Sequence, residues 1–174
     1  MHKPYYKLTI KKTNGFSLTQ LLIGIAITLI IVHLTMINTR YLKKTLVQSH
    51  IEILFTTCLY LQRLAISSNT IQELSFNEKS NSYSYETNIN FLATDIYLGI
   101  ISGAKGPPSA PTSILTFPIT FANKKIIFYP DGIISSGTVY LVDKTNNELY
   151  AMSSGIAHTS FLRKYHYDGK WHQL

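Results

Sequence analysis

Residues 47–65 read VQSHIEILFTTCLYLQRLA. Val47, Ile51, Leu54, Cys58, Leu61 and Ala65 step by four, three, four, three and four. At about 100° per residue they fall within roughly 80° of arc, the signature of a helix with one apolar stripe. Gln48, Ser49, Glu52, Thr56 and Arg63 lie on the other side. The spacing predicts a helix packed by that stripe against a core. Cys58 sits in the stripe, so it reads as a packing residue and not as a reactive thiol. It is the one cysteine of the chain, which rules out an intramolecular disulfide. No Pro or Gly interrupts residues 25–66, and SSNT at 67–70 is a stop. One helix is therefore expected from about residue 17 to 67, roughly 75 Å long.

Upstream the character changes. Phe16 to Asn38 contains no Asp, Glu, Lys or Arg. About 20 residues at 1.5 Å each span a hydrocarbon core of about 30 Å, so 16–38 reads as a transmembrane or filament-core helix. Residues 39–68 are its amphipathic continuation. A secretory signal would be shorter in its apolar part and followed by a small-residue cleavage site, and none follows here. His33 lies near the outer end of the run and reads as an interfacial residue. The net charge of +7 is local. Lys3, Lys7, Lys11, Lys12, Arg40, Lys43 and Lys44 flank the run with no acid among residues 1–50, while residues 51–174 balance. That pattern points to lipid headgroups and membrane topology, with the N-terminus cytoplasmic, and excludes a global nucleic-acid field.

Downstream, strands are expected at 71–76, 83–89, 113–121, 124–130, 137–143, 148–154 and 156–167, with DGKWHQL closing the chain. Pro118 marks its segment as an edge or bulge. PDG at 130–132 is a turn and KTNN at 144–147 a hairpin loop. GIISGAKGPPSAPTS at 99–113 is the clearest loop, a linker or a binding loop. A helix followed by runs of strands predicts an α+β fold: one long N-terminal helix, half in the membrane and half amphipathic, on a C-terminal antiparallel sheet at 69–174.

KKTNGFSLTQLLIGIAI at 11–27 resembles the leader and start of type IV pilins and pseudopilins. The resemblance implies a pilin-like fold and a basic leader, 1–15, removed by a prepilin peptidase. It places the cut between Gly15 and Phe16 and methylation on the new Phe16 amine. A glycine suits a narrow site that takes extended backbone. The family has Glu at the fifth mature position, thought to pair with a neighbour's terminal amine; here Gln20 stands there. Either Gln20 marks a subunit at the filament tip, or it is a tolerated substitution. The implied function is a minor pilin-like structural subunit of a type II secretion pseudopilus or a type IV pilus. The implied place is the bacterial inner membrane, single-pass, with the C-terminal domain periplasmic, and then the filament. Its partners would be other pilin or pseudopilin subunits, the prepilin peptidase, the inner-membrane assembly platform, membrane lipid, and secreted cargo or DNA.

The second half is similar to GspH/FimT-type minor subunits, through LQRLAISSNTIQEL at 61–74 and FYPDGIISSGTVYLVD at 128–143. Some FimT-like members bind DNA through a Gly-Arg pattern, but here Gly155 is followed by Ile156. Arg163, Lys164, Lys170 and Trp171 form a small basic-aromatic cluster instead, a candidate nucleic-acid contact in a second reading as a DNA-binding minor pilin. Its rival is a solvated strand end with Trp171 capping the core. His158, His166 and His172 match no zinc spacing, and Asp131, Asp143 and Asp168 match no calcium loop. No nucleophile elbow or phosphate loop occurs, so no enzyme, metal or cofactor is expected.

Overall fold

The computed structural model describes residues 17–107, 109–144, 148–155 and 161–174, and within the helix the side chains of 17–33 and 46–68. The chain divides into two compact units, Met1–Thr39 and Arg40–Leu174. Helix α1 is Leu18–Ser68. In the first unit every described helix side chain, from Leu18 to His33, is exposed.

In the second unit the six stripe residues, Val47, Ile51, Leu54, Cys58, Leu61 and Ala65, are between 0 and 1% exposed. Nine strands follow among the described residues: β1 Gln72–Asn77, β2 Ser82–Tyr85, β3 Asn88–Phe91, β4 Ile96–Leu98, β5 Lys125–Phe128, β6 Gly137–Asp143, β7 Glu148–Ser154, β8 Leu162–Tyr167 and β9 Trp171–Gln173. They form two antiparallel sheets, one in the order β3-β2-β1-β5 and the other β4-β6-β7-β8-β9.

This corrects the expected fold. One long helix on a single sheet is not what the chain builds: its strands divide between two antiparallel sheets, one of four strands and one of five. Nor is any helix of the described residues long and apolar enough to cross a membrane. The physical reason for the extra layer lies in β6 and β7. Thr138 to Asp143 are all buried, so both faces of β6 are covered. Val139, Leu141, Tyr150 and Met152 join the stripe in one core. Their neighbours Tyr140, Val142, Leu149 and Ala151 point the opposite way, into a second core with Ala104 and Leu115. A strand pair buried on both faces needs a layer on each side.

The loop at 99–113 supplies that second layer. Lys105 lies beside the sheet's far end: its N–H donates to Tyr167 Oη at 3.3 Å, and its carbonyl accepts the Trp171 indole N–H at 2.7 Å. Gly106 has φ +148°, and a Cβ there would stand 2.4 Å from Trp171 Nε1. Both the backbone and the space demand glycine.

Other expectations shift locally. The single strand expected at 83–89 is the hairpin β2–β3, turned at Glu86 with φ 49°. The expected strand 113–121 makes only two isolated bridges, Lys105 to Ile114 and Ile119 to Val139. Pro118 has no N–H, and its carbonyl accepts from Tyr140 N–H at 2.9 Å. At PDG, Asp131 Oδ1 accepts the Ile133 N–H at 3.0 Å, and Gly132 O takes the Gln62 amide at 2.8 Å. That motif ties its turn to the helix. The strand expected at 156–167 is β8 over Leu162–Tyr167, while 156–160 lie outside the described residues.

Candidate functional site

The leader 1–15 and the residues of the expected cut, Gly15 and Phe16, lie outside the described residues. Description begins at Ser17, where a helix start is built from the sequence. Ser17 O accepts the N–H of Gln20 at 2.9 Å and of Leu21 at 3.2 Å. Gln20 Oε1 in turn accepts the Ser17 N–H at 3.1 Å. This is the reciprocal half of a capping box, the S-x-x-Q signature. Gln20 thus has a local role, holding the first turn, that a side-chain amide performs without a charge. The sequence held this signal in SLTQ at 17–20: Ser17 and Gln20 are three apart just before an apolar run.

Beyond it the helix surface is unusual. Leu18, Leu21, Leu22, Ile23, Ile25, Ile27, Leu29, Ile30, Ile31 and Val32 are all exposed. They surround the helix instead of forming one stripe. The polar Thr28 turns its hydroxyl inward, donating to Gly24 O at 3.0 Å and Ile25 O at 2.8 Å. That back-bonding leaves the segment with almost no polar groups presented outward. An apolar surface of this extent normally has a partner.

The C-terminal cluster is dispersed by the pleat. Along β8, Lys164 and His166 alternate with Arg163, Tyr165 and Tyr167, so the two sets point to opposite faces. Lys164 faces α1: its ammonium pairs with Glu52 and lies 4.7 Å from the Phe55 ring centre. Only 15% of that side chain is exposed. Trp171 packs on Tyr140, Tyr165 and Tyr167, with ring centres 5.9, 6.4 and 4.9 Å away. Its N–H is already bonded to Lys105 O. Arg163 and Lys170 are exposed. The four residues therefore form no common surface, and Trp171 closes the second core.

Sequence reasoning missed a polar cluster at the helix-facing side of β7 and β8. His166 Nε2 meets Glu148 Oε2 at 2.7 Å, and Tyr150 Oη donates to the same oxygen at 3.3 Å. The Tyr150 and His166 rings are 4.7 Å apart. Burial, with the Glu148 carboxylate beside it, pushes the Tyr150 phenol up. The cross-strand pairing Tyr150 to His166 set this up, and pairing is not visible before the register is known. Nearby, buried Asp143 forms one wall of a pocket of about 200 Å³ between Leu46 and Val47 of the helix and residues 93–96. Asp143 and Glu148 face each other across the β6–β7 pair. This arrangement organises charge where the helix meets the second sheet. His172 pairs with Asp168 at 2.9 Å on the surface, and His158 lies outside the described residues. Among the described residues no group of three or more His, Cys, Asp or Glu is placed to hold a metal ion. No family model, curated protein or solved structure matches this chain.

Proposed function

We propose that the chain is a minor pilin-like structural subunit of a secretion pseudopilus or a type IV pilus. On this reading a prepilin peptidase removes residues 1–15, Phe16 becomes the methylated N-terminus, and the protein is held at the bacterial inner membrane before assembly. The work is structural: the apolar segment that begins at Phe16 packs against other subunits, lipid and the assembly platform. The observation that carries this is the all-round exposure of ten large apolar side chains between Leu18 and Val32. It is joined to a lysine-rich, acid-free leader that ends in Gly15. A surface of that kind is stable only when covered.

Gln20 fits a subunit that does not contribute a carboxylate to a neighbour, and its bond to Ser17 gives it a use within its own chain. The DNA-binding reading has no observation in its favour, because Lys164 is held by Glu52 and the Trp171 N–H by Lys105. The test is mass spectrometry of the protein isolated from membranes of cells with an active prepilin peptidase. The expected N-terminus is Phe16 carrying one methyl group, and Gly15→Ala should leave the chain uncut. An intact Met1 end in the unaltered protein refutes the proposal.

A further inference from the structure

Four strands end the two sheets, and three of those edges are closed or polar. The backbone of β4 is bridged by one side chain: Asn81 Nδ2 donates to Ile96 O, and Asn81 Oδ1 accepts the Leu98 N–H at 3.0 Å. The outer edge of β5 is covered by Ile133–Ser135: Ser135 N–H donates to Ile127 O, and Ser135 Oγ accepts the Ile127 N–H, both at 2.9 Å. The edge at β9 is short and polar, three residues long with His172 and Gln173 exposed. Such devices keep strand edges from pairing with other chains.

The edge at β3 has none of them. Its sequence is Asn-Ile-Asn-Phe, with no charge and no proline. Leu92 N–H donates to Asn81 O, which fixes the phase of the ladder between β2 and β3. In an antiparallel pair hydrogen-bonded positions alternate. Asn88 and Asn90 therefore bond to β2, while the N–H and C=O groups of Ile89 and Phe91 point away from it. Among the described residues nothing accepts or donates to them. The same two residues carry large exposed apolar side chains, Ile89 at 62% and Phe91 at 67%.

We propose that β3 is a self-pairing edge, at which two copies of this chain join antiparallel about a two-fold axis through Asn90. In that register Ile89 stands opposite Phe91 of the other copy, twice. Both are hydrogen-bonded pairs, so all four outward groups on each copy find partners. The side chains form two Ile–Phe cross-strand pairs on one face, a favourable combination. No charged residue of one strand meets a charged residue of the other. This self-complementarity is what selects a second copy over an unrelated extended segment. A four-residue edge buries less than the roughly 1,200 Å² of a stable interface, so the pairing is transient and is best read by covalent trapping. It is independent of any filament role of the apolar helix.

The test is oxidative cross-linking of the full chain in detergent carrying Asn90→Cys. In the proposed register the two introduced thiols face each other in a non-hydrogen-bonded pair, the closest type. Buried Cys58 does not compete. Lys170→Cys, exposed in the turn between β8 and β9, reports random collision. The expected result is a covalent dimer at least tenfold more abundant than with Lys170→Cys. Adding Ile89→Pro, which removes an outward donor and leaves the bonds to β2 intact, should abolish the excess, as should Phe91→Lys. Unchanged urea midpoints verify that both variants fold. Cross-linking no greater than the collision control overturns the proposal. So does a dimer that survives Ile89→Pro and Phe91→Lys, or trapping in membranes of a different polypeptide in place of a second copy.

Discussion

Asn81 ties its own turn to β4 through one side chain, and replacing it should cost more than a surface asparagine ordinarily does. It stands at φ 51°, a conformation that asparagine tolerates better than residues with no local hydrogen bonding. Its carboxamide bonds Ile96 O and Leu98 N–H, and both Ile96 and Leu98 are buried. In Asn81→Ala two backbone groups lose their partners, at about 1–3 kcal/mol for each that water does not reach. The left-handed backbone adds about 1 kcal/mol for a residue with a plain Cβ. The expected loss is about 3–7 kcal/mol, the upper end applying if water reaches neither group. Asn81→Gly separates the terms, because glycine accepts the backbone freely and loses only the bonds. It should fall about 1 kcal/mol short of the alanine variant's loss. The assay is urea unfolding of the full chain, followed by Trp171 fluorescence, with stability taken from midpoint and slope. A loss below about 0.5 kcal/mol for Asn81→Ala, the size of an ordinary surface change, refutes the reasoning. Identical losses for alanine and glycine refute the backbone part alone.

Three further predictions rest on other contacts. Leu54→Ala, at the centre of the buried stripe, should destabilise by about 2–5 kcal/mol in the same urea assay. Gly106→Ala should destabilise clearly, since its Cβ would overlap the Trp171 ring; Gly103→Ala, with open space around it, should cost less, and equal midpoints would contradict the packing described. Burial lowers the pKa of His50 from 6.5. The unfolded chain then binds that proton more readily, so stability should fall as pH drops through about 6.5 and level off below the folded value. His50→Gln should flatten that limb in urea midpoints measured from pH 8 to 5.

Part of this architecture is legible in residues alone. The stripe Val47 to Ala65 announces itself because a 3.6-residue period survives any detail of the partner surface. The strands β6 and β7 lie over 137–143 and 148–154, where β-rich runs flank a polar hairpin loop. The second sheet is harder to see. GTVYLVD and ELYAM are continuous apolar runs and do not alternate, which signals burial on both faces without naming the cover. That cover is a Gly/Pro loop, and its composition reads as surface. The turn at Glu86 is hidden because it lacks the Gly, Asn or Asp that marks such positions. At the candidate site, Gln20 was visible as a departure from a family pattern, but its bond to Ser17 needed coordinates. The pairing of Lys164 with Glu52 joins residues far apart in sequence, and no local pattern encodes it.

The stripe on α1 meets Val139, Leu141, Tyr150 and Met152 only after most of the chain has been made. During synthesis the helix emerges first and waits, its greasy side open, while the loops between are still being added. Contacts so distant in sequence form slowly. The nascent protein therefore presents two sticky surfaces, one at each end of its production, and a chaperone that shields the helix until the β6–β7 hairpin arrives would raise its yield.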